Sequence, residues 1–279
     1  MINKNILVSI VIPCFNRSNL LDWHLKTLYG TMFFNSNGSK KQPISHEILV
    51  INDGIADDTE DICNKWKDKF NIKYFFIGNR NKDLDSLIWR IPGFSINYAA
   101  KRSSGKFLIL TNPEIYHPQD TIGDVVKILT KTKKALVGPK RVLDDRFGDF
   151  INFLNKWNGS EKDFNDEYKK LYNVEPHPFM PNPYVPYFLG MWKDDFMNIN
   201  GYDEDFIGIG DDDNDIVDRL KLSGCKYHFV DKEIVHMFHG IKRSSDEILN
   251  DPKFIYNRRL WKDRSGIIKR NINKDWGNG

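Results

Sequence analysis

Four aspartates crowd into five residues of the segment Gly208 to Leu220, where a glycine-spaced turn leads into a pattern typical of an amphipathic helix. They are Asp211, Asp212, Asp213 and Asp215. One or two acids are favoured at a helix start because they face its free N–H groups and the positive end of its dipole. Four repel one another, a cost best tolerated where some meet a cation, a substrate hydroxyl or a proton. A solvated acidic cap and a chemically active cluster are both open interpretations.

The composition indicates an ordinary soluble protein. With 279 residues, 40% of them hydrophobic, the chain can build one large domain or two closely joined halves. No window approaches the roughly 18 apolar residues that span a bilayer, and the short apolar run near the N-terminus ends in proline, unlike a secretory signal. Lys plus Arg number 41 against 38 Asp plus Glu, a balance that does not favour nucleic-acid binding. Three widely spaced cysteines, Cys14, Cys63 and Cys225, predict reduced packing thiols in a cytoplasm.

Strand and helix patterns alternate along the first half of the chain. The predicted strands cover Ile6 to Ile12, His46 to Ile51, Ile72 to Ile77 and Phe107 to Leu110, and the predicted helices lie near Leu20 to Leu28, near Ile62 to Trp66 and from Phe94 to Arg102. This alternation predicts a parallel α/β sheet, in which ligands bind beyond the carboxyl ends of the strands. Those ends are Pro13 to Asn16, Asn52 to Gly54 and Thr111 to Glu114.

The second half is less regular. Residues 140–186 are rich in aromatics, Asn and Pro, and apart from a possible helix at Phe150 to Trp157 they fit either an acceptor-binding insertion or a surface without a clear pattern. A last strand is predicted at Val230 to Gly240. The basic tail, 241–279, fits a solvated helix, or a helix lying on the domain or on anionic lipid.

A family resemblance rests on three segments of the first half: VSIVIPCFNR, EILVINDGIADDTED and the tetrapeptide at Thr111. They resemble the family-two glycosyltransferases, which have the nucleotide-sugar-binding GT-A fold. The later segment FLGMWKDDFMNINGYDEDFIGIGDDDNDIVDRLKLSG resembles the C-terminal half of galactosyl- and N-acetylgalactosaminyltransferases. The resemblance implies a Rossmann-like α/β fold with a mostly parallel central sheet. It also implies a catalytic domain at 1–240, with a nucleotide-binding half at 1–115, an acceptor and metal half at 116–240, and the tail outside it.

The resemblance implies that a donor nucleotide sugar binds along the strand ends. The donor-binding residues it suggests are Pro13, Phe15, Asn16, Asp53, Asn97, Asn112, Gly190 and Trp192. Asp53 can accept hydrogen bonds from uracil or ribose, while Pro13 and Phe15 can wall the base. A simple Asx turn at Asn52 to Gly54 explains the same residues about as well. Trp192 can stack on a sugar face or be an ordinary core residue.

The resemblance also implies a divalent metal, manganese or magnesium, beside the donor diphosphate. In the family an Asp-x-Asp motif after the fourth strand holds it, whereas this chain reads Asn112-Pro113-Glu114. Glu114 matches the second acid, which is the usual direct ligand, and a hard oxygen donor suits these ions. VHMFH aligns His236 with a metal-binding histidine of the family. Strand alternation would put His239 on the opposite face, so it is the weaker candidate.

Aligning DIVDRL with the matching helix of the galactosyltransferases sets Asp212 on their acceptor-binding acid and Asp213 on their catalytic base. The base must take a proton from the acceptor hydroxyl, and a carboxylate among like charges gains basicity. Asp215 lies beyond both acids and is expected to serve the helix start. The family has two glycines before the acids, whereas Gly210-Asp211 here predicts a narrower turn.

Two function classes follow from these residues. The first is an inverting, metal-dependent glycosyltransferase that moves a sugar, Gal or GalNAc by the resemblance, from a UDP-sugar to a glycan or glycoconjugate acceptor. The second is a degenerate member that binds a nucleotide sugar or glycan without turnover, prompted by Asn112-Pro113-Glu114. The retained acids and His236 favour the enzyme. The expected location is the cytoplasm, at the inner membrane face if the basic tail makes a peripheral lipid contact. No nucleic-acid partner is expected.

Overall fold

The structure, a computed structural model, describes residues 6–78, 90–145, 148–156, 188–240 and 245–278. Within them the strands are Val8–Cys14 (β1), His46–Asn52 (β2), Ile72–Phe76 (β3), Phe107–Thr111 (β4), Ile115–Tyr116 (β5), Ala135–Asp144 (β6), Phe188–Trp192 (β7) and Lys226–His236 (β8). The helices are Ser18–Phe33 (α1), Thr59–Trp66 (α2), Gly93–Arg102 (α3), Thr121–Lys131 (α4), Asp149–Lys156 (α5), Lys193–Asn198 (α6), Asp212–Leu222 (α7), Ser245–Leu249 (α8) and Pro252–Asp263 (α9).

All the described strands form one mixed sheet in the order β3-β2-β1-β4-β7-β6-β8-β5. The first four are parallel, as expected from the alternating pattern. β7 enters antiparallel between β4 and β6, and β8 then runs parallel to β6. β7 runs opposite to both of its neighbours, so β6 and β8 point in the same direction as β4. The carboxyl ends of β1, β2, β4, β6 and β8 therefore all lie at the same edge. That shared edge is where the sequence predicts ligand binding.

Helices cover both faces of the sheet. The side chains of Ile10 and Ile48 point to one face, where α1, α2 and α4 pack. Val11 and Leu49 point to the other, where α3, α6 and α7 pack. Neighbouring strand residues are buried on opposite faces, so these strands read as continuous apolar runs, as buried parallel strands do. The predicted α/β architecture is therefore confirmed.

Several predicted boundaries shift. β1 continues through Pro13 to Cys14, because β4 pairs only with Val8 to Val11 and the proline lies beyond that ladder. β8 begins at Lys226 and ends at His236, four residues before the predicted end. The predicted helix near Phe150 is α5. Most of the irregular stretch, 157–187, lies outside the described residues.

The tail is part of the folded domain. Trp276 is 8% exposed and belongs to the same buried cluster as Ile96 of α3. Arg270 forms ion pairs with Asp203 and Asp215, both buried. The alternative of a tail that lies on the domain is therefore supported, and the solvated-tail interpretation is wrong at Arg270 and Trp276, because these two side chains have partners inside the domain. The lipid contact gains no support, since several tail cations already pair with acids of the same chain.

The three cysteines are buried and free, in agreement with the expected packing role. Burial raises the pKa of the Cys14 thiol well above its usual range, and raises that of Cys63 to about 12. Of the helices that the structure describes, none has the length and hydrophobicity needed to cross a bilayer.

Candidate functional site

The end of β2 combines a turn with a buried carboxylate. The Asn52 side chain accepts a hydrogen bond from Gly54 N at 2.9 Å, so the Asx turn considered from the sequence is present. Asp53 next to it is 2% exposed and accepts hydrogen bonds from Arg90 Nη1 at 2.7 Å and from Ser95 Oγ at 3.0 Å. The two readings of this segment are thus compatible: the turn orients Asp53 at the shared edge. Arg90 is a cation at this position that the sequence analysis missed.

The end of β1 forms the neighbouring wall. Pro13 and Phe15 are partly exposed there, and Asn16 has a left-handed backbone with φ 54°. Asn16 Oδ1 accepts a hydrogen bond from Ile55 N at 3.1 Å, which ties the β1 end to the β2 loop. Asn tolerates this backbone conformation better than most residues. Pro13, Phe15 and Asn16 therefore line the same edge as Asp53, as the strand order requires.

A cluster of possible metal ligands lies where β5 meets β8. One carboxylate oxygen of Glu114 and one ring nitrogen each of His236 and His239 lie within 4.8 Å of one another. Ile115 pairs with His236 across the strands, and the two histidine rings meet edge to face at 5.3 Å. The expectation that His239 faces away is wrong. β8 ends at His236, so strand alternation does not apply three residues later.

Arg17 extends this cluster. Its Nη2 lies 3.3 Å from His239 Nδ1, and its Nη1 donates to the backbone oxygen of Asn16 at 3.0 Å. Burial alone would raise the pKa of Glu114, but the His236 hydrogen bond and the charges of His236, His239 and Arg17 lower it to about 2. Glu114 is therefore ionised at neutral pH. Asn112 Nδ2 donates to Glu114 Oε1 at 3.3 Å, so Asn112 supports the carboxylate.

The four aspartates at the start of α7 have different surroundings. Asp212 is 6% exposed, and its Oδ2 has no hydrogen-bond partner within the described chain. Burial and the neighbouring Asp213 raise the pKa of Asp212 well above its usual range. Burial raises the pKa of Asp213 to about 7, although a hydrogen bond from Tyr202 Oη at 3.3 Å lowers it in part. A partly exposed carboxylate of this pKa is a suitable proton acceptor near neutral pH.

The other two aspartates are structural. Arg258 of α9 donates to Asp211 Oδ2, and Asn214 donates to Asp211 Oδ1 at 2.7 Å. Asp211 has φ 62°, a conformation that glycine adopts freely, so the turn keeps a glycine-like backbone at this position. Asp215 Oδ2 accepts from Arg219 Nε at 2.6 Å. The helix-start role expected for Asp215 is wrong, because its partners are buried arginines and not backbone N–H groups.

Two expected donor residues lie away from the shared edge. Trp192 pairs with Phe107 at the opposite end of β4, and its indole donates to Thr132 O at 2.8 Å. Gly190 pairs with Ile109 in the middle of the sheet, where an added Cβ would clash with Val125 of α4. The physical reason is the antiparallel direction of β7, which carries its C-terminal end to the far edge. Of the two roles that the sequence left open for Trp192, the structure shows the core role. Gly190 is a packing residue.

Asn97 links two elements instead of facing open space. It is fully buried in α3, its Nδ2 donates to Tyr202 O at 2.9 Å, and its Oδ1 accepts from Tyr202 N at 2.8 Å. These hydrogen bonds fix the loop that carries Tyr202. The donor-binding role expected for Asn97 is wrong, because its side-chain amide is already bonded to this loop and has a structural role.

The Asp53 and Asp213 groups connect through the first turn of α3. Ser95 in that turn donates to Asp53, and Gly93, two residues earlier, lies against Tyr202, where an added Cβ would be 2.8 Å from Tyr202 Cβ. Tyr202 in turn donates to Asp213. One continuous set of contacts thus joins a buried polar strand end to the α7 acids. The Glu114 cluster lies beyond β4 at the same edge.

The structure thus brings acids, two arginines and a metal-type cluster to one edge of a mixed α/β sheet. Residues 9–182, more than half of the chain, match the family described as glycosyl transferase family 2. The chain therefore belongs to glycosyl transferase family 2, whose members are sugar-transferring enzymes. Residues 169–241 also match the domain described as the N-terminal domain of galactosyltransferase.

Similar proteins agree with this family. The chain is 24% identical over 255 residues to chondroitin synthase of Pasteurella multocida (strain Pm70), covering 82% of this chain and 24% of that one. It is 26% identical over 243 residues to validoxylamine A glucosyltransferase of Streptomyces hygroscopicus subsp. limoneus, covering 78% and 48%. The chain thus spans about half or less of the length of these curated relatives.

Solved structures share the fold. The mannosyltransferase PcManGT from Pyrobaculum calidifontis, solved in complex with GDP-Man and Mn²⁺, superposes with a TM-score of 0.53 at 14% identity, covering 94% of this chain and 62% of that one. S. aureus TarS gives a TM-score of 0.50 at 15% identity, covering 93% and 39%. The GT-A fold implied by the resemblance is confirmed.

Proposed function

We propose that the protein is an inverting, metal-dependent glycosyltransferase with Asp213 as its general base. The observation that carries this proposal is the Asp213 carboxylate, whose pKa is raised to about 7 by burial at the start of α7. A base must be ionised enough to act and basic enough to accept a proton, and a pKa near the working pH meets both needs. Tyr202 holds the carboxylate in place from one side.

In the proposed reaction Asp213 accepts the proton of the acceptor hydroxyl while that oxygen attacks the anomeric carbon of the donor. The bond between the anomeric carbon and the phosphate oxygen breaks, and the nucleoside diphosphate leaves. Direct displacement of this kind inverts the anomeric centre and needs no enzyme nucleophile. The Asp212 carboxylate, with its buried Oδ2 unpartnered among the described residues, is suited to hold a second acceptor hydroxyl.

The residues at β5 and β8 fit a divalent cation. One carboxylate oxygen and two imidazole nitrogens within 4.8 Å of one another are a donor set that suits manganese. We propose Glu114 and His236 as ligands, with His239 as a third. When bound there, the ion would neutralise the charge that the diphosphate gains on leaving. Arg17 beside His239 adds a fixed positive charge at the same place.

The donor is proposed to be a UDP-sugar carrying Gal or GalNAc. Support comes from Asp53, held at the shared edge by Ser95 and Arg90, and from the match of residues 169–241 to a galactosyltransferase domain. The acceptor is proposed to be a glycan or glycoconjugate, as in the related polysaccharide-building enzymes. Phe15 and Pro13 are suited to wall the base.

The proposal is tested by incubating the protein with manganese and a panel of nucleotide sugars and measuring nucleotide release and thermal shift. UDP with manganese should stabilise the protein more than GDP or CMP, because ligand binding to the native state raises the melting temperature. Equal shifts with all three nucleotides would remove the donor assignment. Donor-dependent stabilisation without nucleotide release, even with a panel of glycan acceptors, would favour the degenerate binding protein that Asn112 suggests.

The metal assignment has its own test. Glu114→Ala, His236→Ala and His239→Ala should each weaken manganese-dependent UDP binding, since each removes one of few ligands. His228→Ala serves as the matched control and should bind manganese and UDP like the parent, because this histidine lies at the opposite end of β8 from His236. Parental manganese and UDP binding in all three ligand variants would move the metal site elsewhere.

A further inference from the structure

The tail helix α9 lies directly on the glycine-rich turn that precedes the α7 acids, which we define as residues 207–211. Gly208 and Gly210 in this turn have φ of 67° and 92°. A Cβ on Gly208 would lie 2.6 Å from Lys253 Cδ, and one on Gly210 would overlap the Phe254 ring. The absence of side chains at these two glycines is therefore what lets α9 approach the turn backbone.

Asn257 of α9 holds the turn with its side-chain amide. It is fully buried, and its Nδ2 donates to the backbone oxygens of Ile207, Ile209 and Gly210 at 2.6, 2.9 and 3.1 Å. Its Oδ1 accepts from Ile207 N at 3.0 Å. An amide has two N–H bonds, so the three oxygens share them. One side chain thus forms hydrogen bonds with backbone groups of a turn that is neither helix nor strand.

Arg258, the next residue of α9, holds the last residue of the turn. It pairs with Asp211, whose left-handed backbone at φ 62° is costly for a residue other than glycine. Such a conformation persists only where its surroundings enforce it. The ion pair to α9 and the hydrogen bond from Asn214 are the contacts that do so here.

A second part of the tail holds the partner of Asp213. Asn271 Nδ2 donates to the backbone oxygens of Asn200 and Tyr202 at 3.0 and 2.7 Å, and its Oδ1 accepts from Glu204 N at 3.2 Å. Tyr202 is the residue whose hydroxyl bonds to Asp213. The tail therefore fixes both the turn before the acids and the loop that carries their tyrosine partner.

We propose that the segment 252–278 is a positioning element for the reaction, with Asn257 and Arg258 setting the geometry at which Asp212 and Asp213 leave the turn. This inference rests on the proposed function of those two acids. Asp211 directly precedes them, so a change in its backbone moves both carboxylates. Displacements of about 1 Å at reacting groups cost up to a hundredfold in rate. The matched family regions end at residue 241, so the tail adds this role from outside them.

The test is a steady-state comparison of Asn257→Asp and Arg258→Gln with the parent. Asn257→Asp has nearly the same shape but replaces the donating amide with a carboxylate facing three backbone oxygens. Both variants should lower kcat, Asn257→Asp by at least tenfold and Arg258→Gln several-fold. KM for the donor and the UDP-induced thermal shift should stay within about twofold, because Asp53 and Glu114 are untouched. Arg258→Lys should recover part of the lost kcat.

Two controls separate positioning from general destabilisation. Asn250→Asp makes the same change at an exposed asparagine of the tail and should leave kcat at the parental value. Leu25→Ala lowers stability from a fully buried site in α1, on the opposite face of the sheet, and should lower the melting temperature without lowering kcat. Should Asn257→Asp fail to fold, Arg258→Gln decides, because the Arg258 side chain is 41% exposed.

The positioning role is overturned if Asn257→Asp folds and keeps the parental kcat. If Asn257→Asp does not fold, a parental kcat in Arg258→Gln overturns it. The positioning role is also overturned if Leu25→Ala, at an equal fall in melting temperature, loses as much kcat as these variants. A parent that releases no nucleotide from any donor is a different result, since it removes the proposed function itself. In that case the donor-free melting temperatures still report whether Asn257 fixes the turn.

Discussion

At the scale of single residues, the proposed reaction depends on the Asp213 carboxylate. Asp213→Asn keeps the shape of the side chain but cannot accept a proton near neutral pH. We expect transfer to fall by about a hundredfold or more while the UDP-induced thermal shift stays near parental. Nucleotide release at saturating donor measures the first quantity and thermal denaturation the second. Near-parental transfer by a folded Asp213→Asn protein would return the acids to the solvated-cap interpretation.

The raised pKa of Asp213 also predicts a pH profile. The base acts only when ionised, so the rate should fall as pH drops through about 7, the folded-state pKa. The profile of kcat/KM between pH 5 and 9 measures it. Tyr202→Phe removes the hydrogen bond that lowers this pKa, so its acidic limb should move to higher pH. A limb near pH 4, where an ordinary aspartate titrates, would contradict the assignment.

Part of this site could be predicted from the sequence, through the types and the order of its residues. Glu114, His236 and the two α7 acids could be found because motifs and alignment identify chemistry without knowing distances. Arg17 and Arg90 could not, because a lone arginine in a loop carries no spacing signal. His239 was misjudged since alternation was extended past the end of a strand. Asp215 was misjudged because its two arginine partners are distant or inconspicuous in sequence.

At the scale of elements, β7 offers a test of its packing. An added Cβ at Gly190 would meet Val125 Cγ1 of α4 well inside contact distance. Gly190→Ala should therefore destabilise the protein by about 1–3 kcal/mol, as overpacking does. Gly138→Ala in the adjacent strand is the control, because its nearest neighbour would be Phe188 O at 3.5 Å. Urea denaturation compares them, and equal stabilities would contradict the tight packing of α4 on β7.

The ion pairs between α7 and the tail give a second test at this scale. Asp215 and Arg219 are each 2% exposed, and Arg270 also pairs with Asp215 at 2.8 Å. Asp215→Asn removes the negative charge and leaves buried cations undercompensated, so we expect a loss of about 3 kcal/mol in the free energy of unfolding. Asp218→Asn, less buried on the same helix, should cost under about 1 kcal/mol. Equal losses would show that the buried pairing contributes little.

The order and type of the elements could be predicted from the sequence, because buried parallel strands and amphipathic helices have distinct hydrophobic patterns. The direction of a strand could not be predicted. A hydrophobic run such as Phe188–Trp192 looks the same parallel or antiparallel, and the direction of β7 decides which edge Trp192 reaches. The family resemblance suggested Trp192 for the donor site and left a core role open, and the pairing with Phe107 puts this residue at the far edge.

At the scale of the whole molecule, two buried histidines predict an acid-sensitive fold. Burial lowers the pKa of His24 from 6.5 to about 4 and that of His117 well below its usual range. Between pH 6.5 and 4 the unfolded chain binds protons that the folded chain does not. Stability should thus be full above about pH 6.5 and fall as pH drops toward 4, by about 3 kcal/mol from His24.

Urea denaturation across this range measures the effect. His24→Leu should show a shallower fall over the same interval, whatever its stability at pH 7, with the remaining slope belonging to His117. An unchanged slope in His24→Leu would assign the acid sensitivity to other groups. His46→Leu is the comparison, because that histidine is only partly buried and its pKa is lowered less far.

The burial of Trp276 against α3 has a consequence for the time course of biosynthesis. A ribosome makes the strands that hold Asp53 and Glu114 first, and the acids at α7 later. Asn257, which holds the turn, Asn271, which holds the Tyr202 loop, and the Trp276 indole, which completes the α3 face of the core, emerge after both. Folding from the N-terminus therefore cannot finish the site until residue 276 has left the exit tunnel. A nascent chain that stops short of residue 276 should therefore hold a sheet but no ordered acid pair.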